Sequence, residues 1–109
     1  MKIIKIKLEY GCFPVWIYDK NNELIENDLP PYLIDDGCID PIFSHIQEIY
    51  NSLYLNDGKE FKFVGFKDQE KQKLFFEELS GAISLLRGKL NNEYTFAENS
   101  DLLKNYRIE

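Results

Sequence analysis

Few residues of this 109-residue chain have the chemistry of a nucleophile, a base or a metal ligand. There are two cysteines, Cys12 and Cys38, and one histidine, His45. The cysteines are too far apart for a CxxC redox or metal pair. One imidazole and two separated thiols make a structural zinc site only by recruiting carboxylates, an uncommon ligand set. Cys38 and His45 flank an expected helix start, so a Cys–His nucleophilic pair is the sharpest chemistry on offer. Nothing around either cysteine resembles a nucleophile turn. Ser44 precedes His45, and successive residues of a helix do not face each other. We therefore expect two reduced thiols, an exposed or partly buried helix histidine, no catalysis and no cofactor. Asp35, Asp36 and Asp40 lie close together, but the D-x-D-x-D-G spacing of a calcium loop is missing.

The carboxylates are informative in another way. The chain has 13 Lys and Arg against 19 Asp and Glu, a formal net charge of −6. From Asn21 to Gly58 there is no basic residue, and Glu23, Glu26, Asp28, Asp35, Asp36, Asp40, Glu48 and Asp57 give −8. The rest of the chain holds 13 basic and 11 acidic groups, +2. The same stretch contains Pro30, Pro31, Tyr32, Leu33 and Ile34, a loop with apolar side chains. Interleaved carboxylates and aromatics suit a protein-binding surface, where acids steer a basic partner and an aromatic anchors it. The competing reading is a solvated acidic face that caps helices and turns. The candidate contact residues are Glu23, Glu26, Asp28, Tyr32, Asp35 and Asp36, with Trp16 added if it faces outward. Direct nucleic-acid binding is disfavoured in a chain of pI about 4.8 with no basic stripe.

The elements that must position these residues follow from periodicity. Residues 2–10 alternate, with Ile4, Ile6, Leu8 and Tyr10 on one side, which predicts a half-buried strand. Lys2, Lys5 and Lys7 read as a basic edge that discourages edge-to-edge pairing. Val15 to Asp19 and Leu24 to Glu26 predict a hairpin closed by Asp19-Lys20-Asn21-Asn22. Residues 27–37, with two prolines, are loop. Asp40-Pro41 predicts a helix start with Asp40 as the cap. Ile42, Ile46, Ile49, Tyr50 and Leu53 continue at helical spacing, up to a turn at Asn56-Asp57-Gly58. Residues 60–66 read as a strand. Asp68 caps a second helix with Phe75, Leu79, Ala82, Ile83, Leu86 and Leu90 on one face, ending at Asn91-Asn92. Gly81 inside it predicts close packing against the sheet. Phe61, Phe63, Phe75 and Phe76 are expected in the core. Tyr94 to Phe96 is an added strand, and Ser100 would cap a short helix through Tyr106.

The fold class is therefore α+β, a mainly antiparallel sheet of three to five strands with two helices packed on one face. Length bounds it to a single domain, residues 1–109. A hydrophobic fraction of 44% with 15% aromatics excludes a disordered chain. No apolar run approaches the ~20 residues of a membrane span. The opening MKIIKIKLEY lacks the apolar core of a signal peptide, so a cytoplasmic protein is expected.

The stretch Leu8 to Pro30, LEYGCFPVWIYDKNNELIENDLP, resembles the opening of small immunity proteins of bacterial polymorphic-toxin systems. The resemblance covers about a fifth of the chain. It implies a cytoplasmic inhibitor that binds a cognate protein toxin and blocks it without catalysis. Toxins that attack nucleic acid tend to be basic where they hold phosphate, and an acidic inhibitor can occupy such a site by mimicking the phosphate charges. The alternative is an acidic inhibitor or adaptor of a host or phage nucleic-acid enzyme.

Overall fold

The computed structural model describes residues 1–97. Six strands and two helices run in the order β1 (Lys2–Ile6), β2 (Val15–Tyr18), β3 (Leu24–Glu26), α1 (Ile39–Asn51), β4 (Tyr54–Asn56), β5 (Phe61–Phe63), α2 (Gln69–Lys89) and β6 (Tyr94–Phe96). The architecture is α+β. The main sheet has the order β3-β2-β1-β6, and β4 and β5 form a separate two-stranded sheet. The pairs β1–β2 and β2–β3 are antiparallel, whereas β6 joins β1 in parallel, so the sheet is mixed. The expected helix over Ser100–Tyr106 lies outside the described residues.

The alternation in β1 decides which face is buried. Ile4 pairs with Ile17 and Ile6 with Val15, and all four are at most 3% exposed. They join Ile39, Phe43, Ile46 and Tyr50 of α1 and Phe75, Leu79, Ala82 and Leu86 of α2 in one hydrophobic cluster. Both helices thus present an apolar stripe at i, i+3, i+4, i+7 spacing to one face of the sheet. Tyr10 leaves this pattern: the strand ends at Ile6, a turn follows, and the Tyr10 ring is exposed.

Among the described residues, no helix covers the opposite face of the sheet. There Lys5 stands opposite Trp16, and Ile3 opposite Tyr18. The Lys5 ammonium sits 4.5 Å from the Tyr18 ring centroid, and Lys7 Nζ donates to Tyr18 Oη at 2.6 Å. Trp16 Nε1 donates to the Lys7 carbonyl, and Tyr18 ends only 8% exposed. The lysine stems cover aromatic surface while their charges reach water. This corrects the reading of Lys5 and Lys7 as edge protection: β1 is an interior strand of the sheet, so it has no edge to protect.

Turn chemistry accounts for the connections. Asp19 Oδ1 accepts from the amides of Asn21 and Glu23, and Asn22 takes the left-handed conformation at φ 65°. That closes the expected β2–β3 hairpin. At the start of α1 the expected cap is replaced. The helix begins at Ile39, and Asp36 Oδ1 accepts from the amides of Cys38 and Ile39 at 2.8 and 2.9 Å. Asp40 therefore lies inside the first turn, where it accepts from Ser44 Oγ. Asp68 caps α2 as expected, accepting from the Glu70 amide at 2.8 Å.

Three further expectations are corrected. The first helix stops at Asn51, and the next residues form β4, which pairs with β5 across the Asp57-Gly58 turn. Asp57 Oδ1 accepts from the amides of Lys59 and Glu60, donors that hold its carboxyl below the ordinary range. Phe61 and Phe63 consequently sit on a small sheet outside the core and are 56% and 43% exposed, while Phe75 is buried and Phe76 half-buried. Gly81 does not pack closely against anything: it is exposed, and a Cβ built there meets no atom within 4 Å.

Candidate interaction surface

The acidic stretch runs from the β2–β3 turn to the β4–β5 turn, and six of its eight carboxylates, Glu23 to Asp40, lie between the β2–β3 turn and the first turn of α1. β3 is the edge strand of the main sheet, and all three of its residues are exposed. Leu24 and Ile25 expose about half of their side chains beside Glu23 and Glu26. A bulge between Ile17 and Tyr18 shifts the β2–β3 register. A short, bulged, charge-flanked strand is how natural sheets blunt a free edge while leaving backbone groups accessible.

Past β3 the chain turns over a hollow of about 160 Å³. Ile25, Glu26, Leu29, Pro31 and Ile34 line it, with Lys2 of β1 and Tyr94 of β6. Burial pushes the Tyr94 phenol above its ordinary pKa. Asn27 straps the segment down by donating to the carbonyls of Phe13 and Val15 at 2.7 and 2.9 Å. Pro31–Leu33 then form a single 3-10 turn.

The six candidate residues divide into two groups. Glu23, Glu26 and Asp35 are exposed, and their carboxylates have no hydrogen bond or ion pair among the described residues. The other three have internal roles. Asp28 accepts from the neighbouring Leu29 amide at 2.7 Å. Tyr32 Oη accepts from the Asn91 amide at 2.8 Å and donates to the Lys89 carbonyl at 3.3 Å, pinning the 3-10 turn to the end of α2. Its ring nevertheless stays 46% exposed. Asp36 Oδ2 pairs with Lys89 Nζ at 2.9 Å while Oδ1 caps α1. The Lys89 ammonium, and then the two amides, hold the Asp36 carboxyl at a pKa of about 2. The same contact raises the pKa of Lys89.

The structure therefore places Glu26 at the hollow, together with Lys2, and leaves Glu23 and Asp35 as exposed carboxylates outside its lining. It assigns Asp36 to joining α1 and α2. Trp16 lies on the outer sheet face, half-buried under Lys7, with a ring-to-ammonium distance of 5.7 Å.

The nucleophile candidates do not meet. Cys38 is exposed at the start of α1 and Cys12 is half-buried, both as free thiols. Cys38 and His45 are seven residues apart, about 10 Å along a helix. His45 Nε2 instead faces Glu78 Oε2 at 3.7 Å. Among the described residues, no group of three or more His, Cys, Asp or Glu is arranged to hold a metal ion, and no helix is long and apolar enough to cross a membrane.

One feature was missed in the sequence. Tyr10 packs with Tyr54, Phe61 and Phe63 of the β4–β5 hairpin in a partly exposed aromatic cluster. Tyr54 stacks on Phe61 at 5.3 Å and 10°, Tyr10 meets Phe61 edge-on at 4.8 Å, and Tyr54 meets Phe63 at 5.1 Å. Tyr50 joins it through a 2.7 Å contact between its hydroxyl and that of Tyr54. With about 200 Å² per aromatic side chain, the exposed fractions of Tyr10, Phe61 and Phe63 leave roughly 280 Å² of ring surface in water. That approaches the size of the largest patch of an ordinary monomer. The signal for it was the density of aromatics near 54–63, which was read as core.

No family model matches the chain, and a comparison with curated proteins returns no match.

Proposed function

We propose that this protein is an immunity-type inhibitor that binds a basic protein toxin through the β3 edge and the segment following it, and blocks the toxin by occupancy. The observation that carries the reading is the set of exposed carboxylates Glu23, Glu26 and Asp35, without partners among the described residues, on the edge strand and the segments flanking it, together with the exposed apolar side chains of Ile25 and Ile34. Each part has a physical task. Glu23, Glu26 and Asp35 attract a basic surface, which can raise an association rate about 10–10³-fold. Ile25, Ile34 and the Tyr32 ring supply the apolar contact that charge alone does not. The outer backbone groups of β3 can pair with a strand of the partner. Lowering Glu23, Glu26 and Asp35 into a basic cleft would place carboxylates where a nucleic-acid-directed toxin holds its substrate phosphates.

The test is a pull-down from the native organism with the tagged full chain, washed at low and at high salt, followed by titration of the captured partner. The expected partner is one basic protein with a secreted-toxin architecture, released by salt. Glu26→Lys with Asp35→Lys is expected to weaken binding at least tenfold, beyond the ~0–1 kcal/mol of an ordinary surface pair. Glu70→Lys, a charge reversal on the exposed first turn of α2, is the control and leaves affinity unchanged. Equal affinities for the double variant and the wild type would remove this surface from the interface. Capture of a housekeeping polymerase or nuclease would replace the toxin by a host nucleic-acid enzyme.

A further inference from the structure

A second concavity, about 380 Å³ in volume, lies between the end of α1, the segment 64–67 and the first turns of α2. It falls in the ~300–1,000 Å³ range of small-molecule sites. Its walls are apolar: Ile49 and Leu53 on one side, Val64 on another, Leu74 and Phe75 on the third. Val64 and Leu74 are 47% and 53% exposed, which is surface that the fold itself leaves uncovered.

The groove is polar at its ends, and the ends differ in sign. Lys67 and Lys71 stand at one, Glu78 at the other. Lys71, Leu74, Phe75 and Glu78 share one helix face at i, i+3, i+4 and i+7. At 1.5 Å per residue, the positions of Lys71 and Glu78 are about 10 Å apart along the helix axis. Glu78 is engaged by His45 at 3.7 Å. Lys67 and Lys71 have no hydrogen bond or ion pair among the described residues. The nearby Asp68 carboxylate is turned to the Glu70 amide, where it caps α2. Two unpaired ammonium groups over an apolar floor are complementary to an anionic head on an apolar tail.

We propose that this groove binds a straight-chain carboxylate, with its head group between Lys67 and Lys71 and its alkyl tail along Leu74 and Phe75 against Ile49, Leu53 and Val64. The roughly 10 Å between those positions takes a chain of about eight carbons at ordinary bond lengths. A longer chain presses its methyl end towards the Glu78 carboxylate, so affinity levels off there. The site is separate from the β3 edge and does not rest on the toxin-binding reading.

The probe is octanoate, titrated into the full chain by calorimetry with backbone amide shifts recorded by NMR. The expected dissociation constant is below about 1 mM. The expected shifts centre on Gly65, Lys67, Lys71 and Leu74. Lengthening hexanoate to octanoate should tighten binding about tenfold, because each buried methylene contributes a roughly fixed increment. Going on to dodecanoate should gain less than about threefold, far below what four more buried methylenes would give, because the groove is then full. Lys67→Glu with Lys71→Glu, at exposed positions and checked for folding by circular dichroism, should weaken octanoate at least tenfold and tighten octyltrimethylammonium. The proposal is overturned if octanoate does not bind, if octanol binds as tightly, if the double variant keeps the affinity, or if the shifts map elsewhere.

Discussion

Adding the same methyl group at two glycines should move stability in opposite directions. Gly81 lies within the 21-residue α2, and Gly58 in the β4–β5 turn. At both, a Cβ meets no atom within 4 Å, so sterics with the surroundings cancel from the comparison. What remains is backbone. Gly81 has helical neighbours on both sides, and Gly in a helix interior is about 0.8–1.0 kcal/mol less favourable than Ala. Gly81→Ala should therefore stabilise by about 0.5–1 kcal/mol, chiefly by restricting the unfolded chain. For a domain of this size that is a rise in Tm of about 4 °C. Gly58 sits at φ +86°, and an L residue in the left-handed region costs about 1–2 kcal/mol. Gly58→Ala should lower stability by about that much. Urea titrations followed by far-UV circular dichroism measure both, and unchanged m-values would show that the denatured state is the same. A neutral or destabilising Gly81→Ala would refute the reasoning, because it would mean that the space above Gly81 is filled or that α2 is distorted there. A neutral Gly58→Ala would mean that the turn relaxes out of its left-handed conformation.

Three other expectations can be checked directly. Asp36 has a pKa of about 2 in the fold against an ordinary 3.8, so its contribution is complete above about pH 4 and is lost as pH falls through 2. Urea stability measured from pH 5 to 2 should fall less steeply for Asp36→Asn than for the wild type, and parallel profiles would contradict the Lys89 and helix-cap assignment. Phe43→Ala, at a fully buried ring, should cost about 3–5 kcal/mol. Phe61→Ala, at a ring more than half exposed, should cost only about 1–2 kcal/mol; equal losses would place Phe61 inside the core after all.

The elements with strong local chemistry were legible from the residues alone. Alternating Ile4 and Ile6, the Asp19–Asn22 turn, the Asp68 cap and the stripe Phe75, Leu79, Ala82, Leu86 each specify their own structure within a few residues, and the α+β class follows from their order. The concentration of charge between Asn21 and Gly58 was likewise a property of the chain and needed no coordinates. Three-dimensional packing decided the rest. The parallel pairing of β6 with β1 depends on α2 carrying the chain back across the sheet, and a strand's residues do not encode which neighbour it meets. Asp36 displaced Asp40 as the cap because the 3-10 turn and Lys89 bring its carboxylate to the amides of Cys38 and Ile39, and Lys89 is 53 residues away. Phe61 and Phe63 have the pattern of core residues, yet α1 ends early enough for β4 to pair them into a small outer sheet. Whether a carboxylate is left exposed without a partner among the described residues, like Glu26 and Asp35, or becomes an internal tie, like Asp36, turns on which donors from distant segments arrive beside it. Local propensity reaches only a few residues along the chain, and those donors come from elements that are adjacent only after folding.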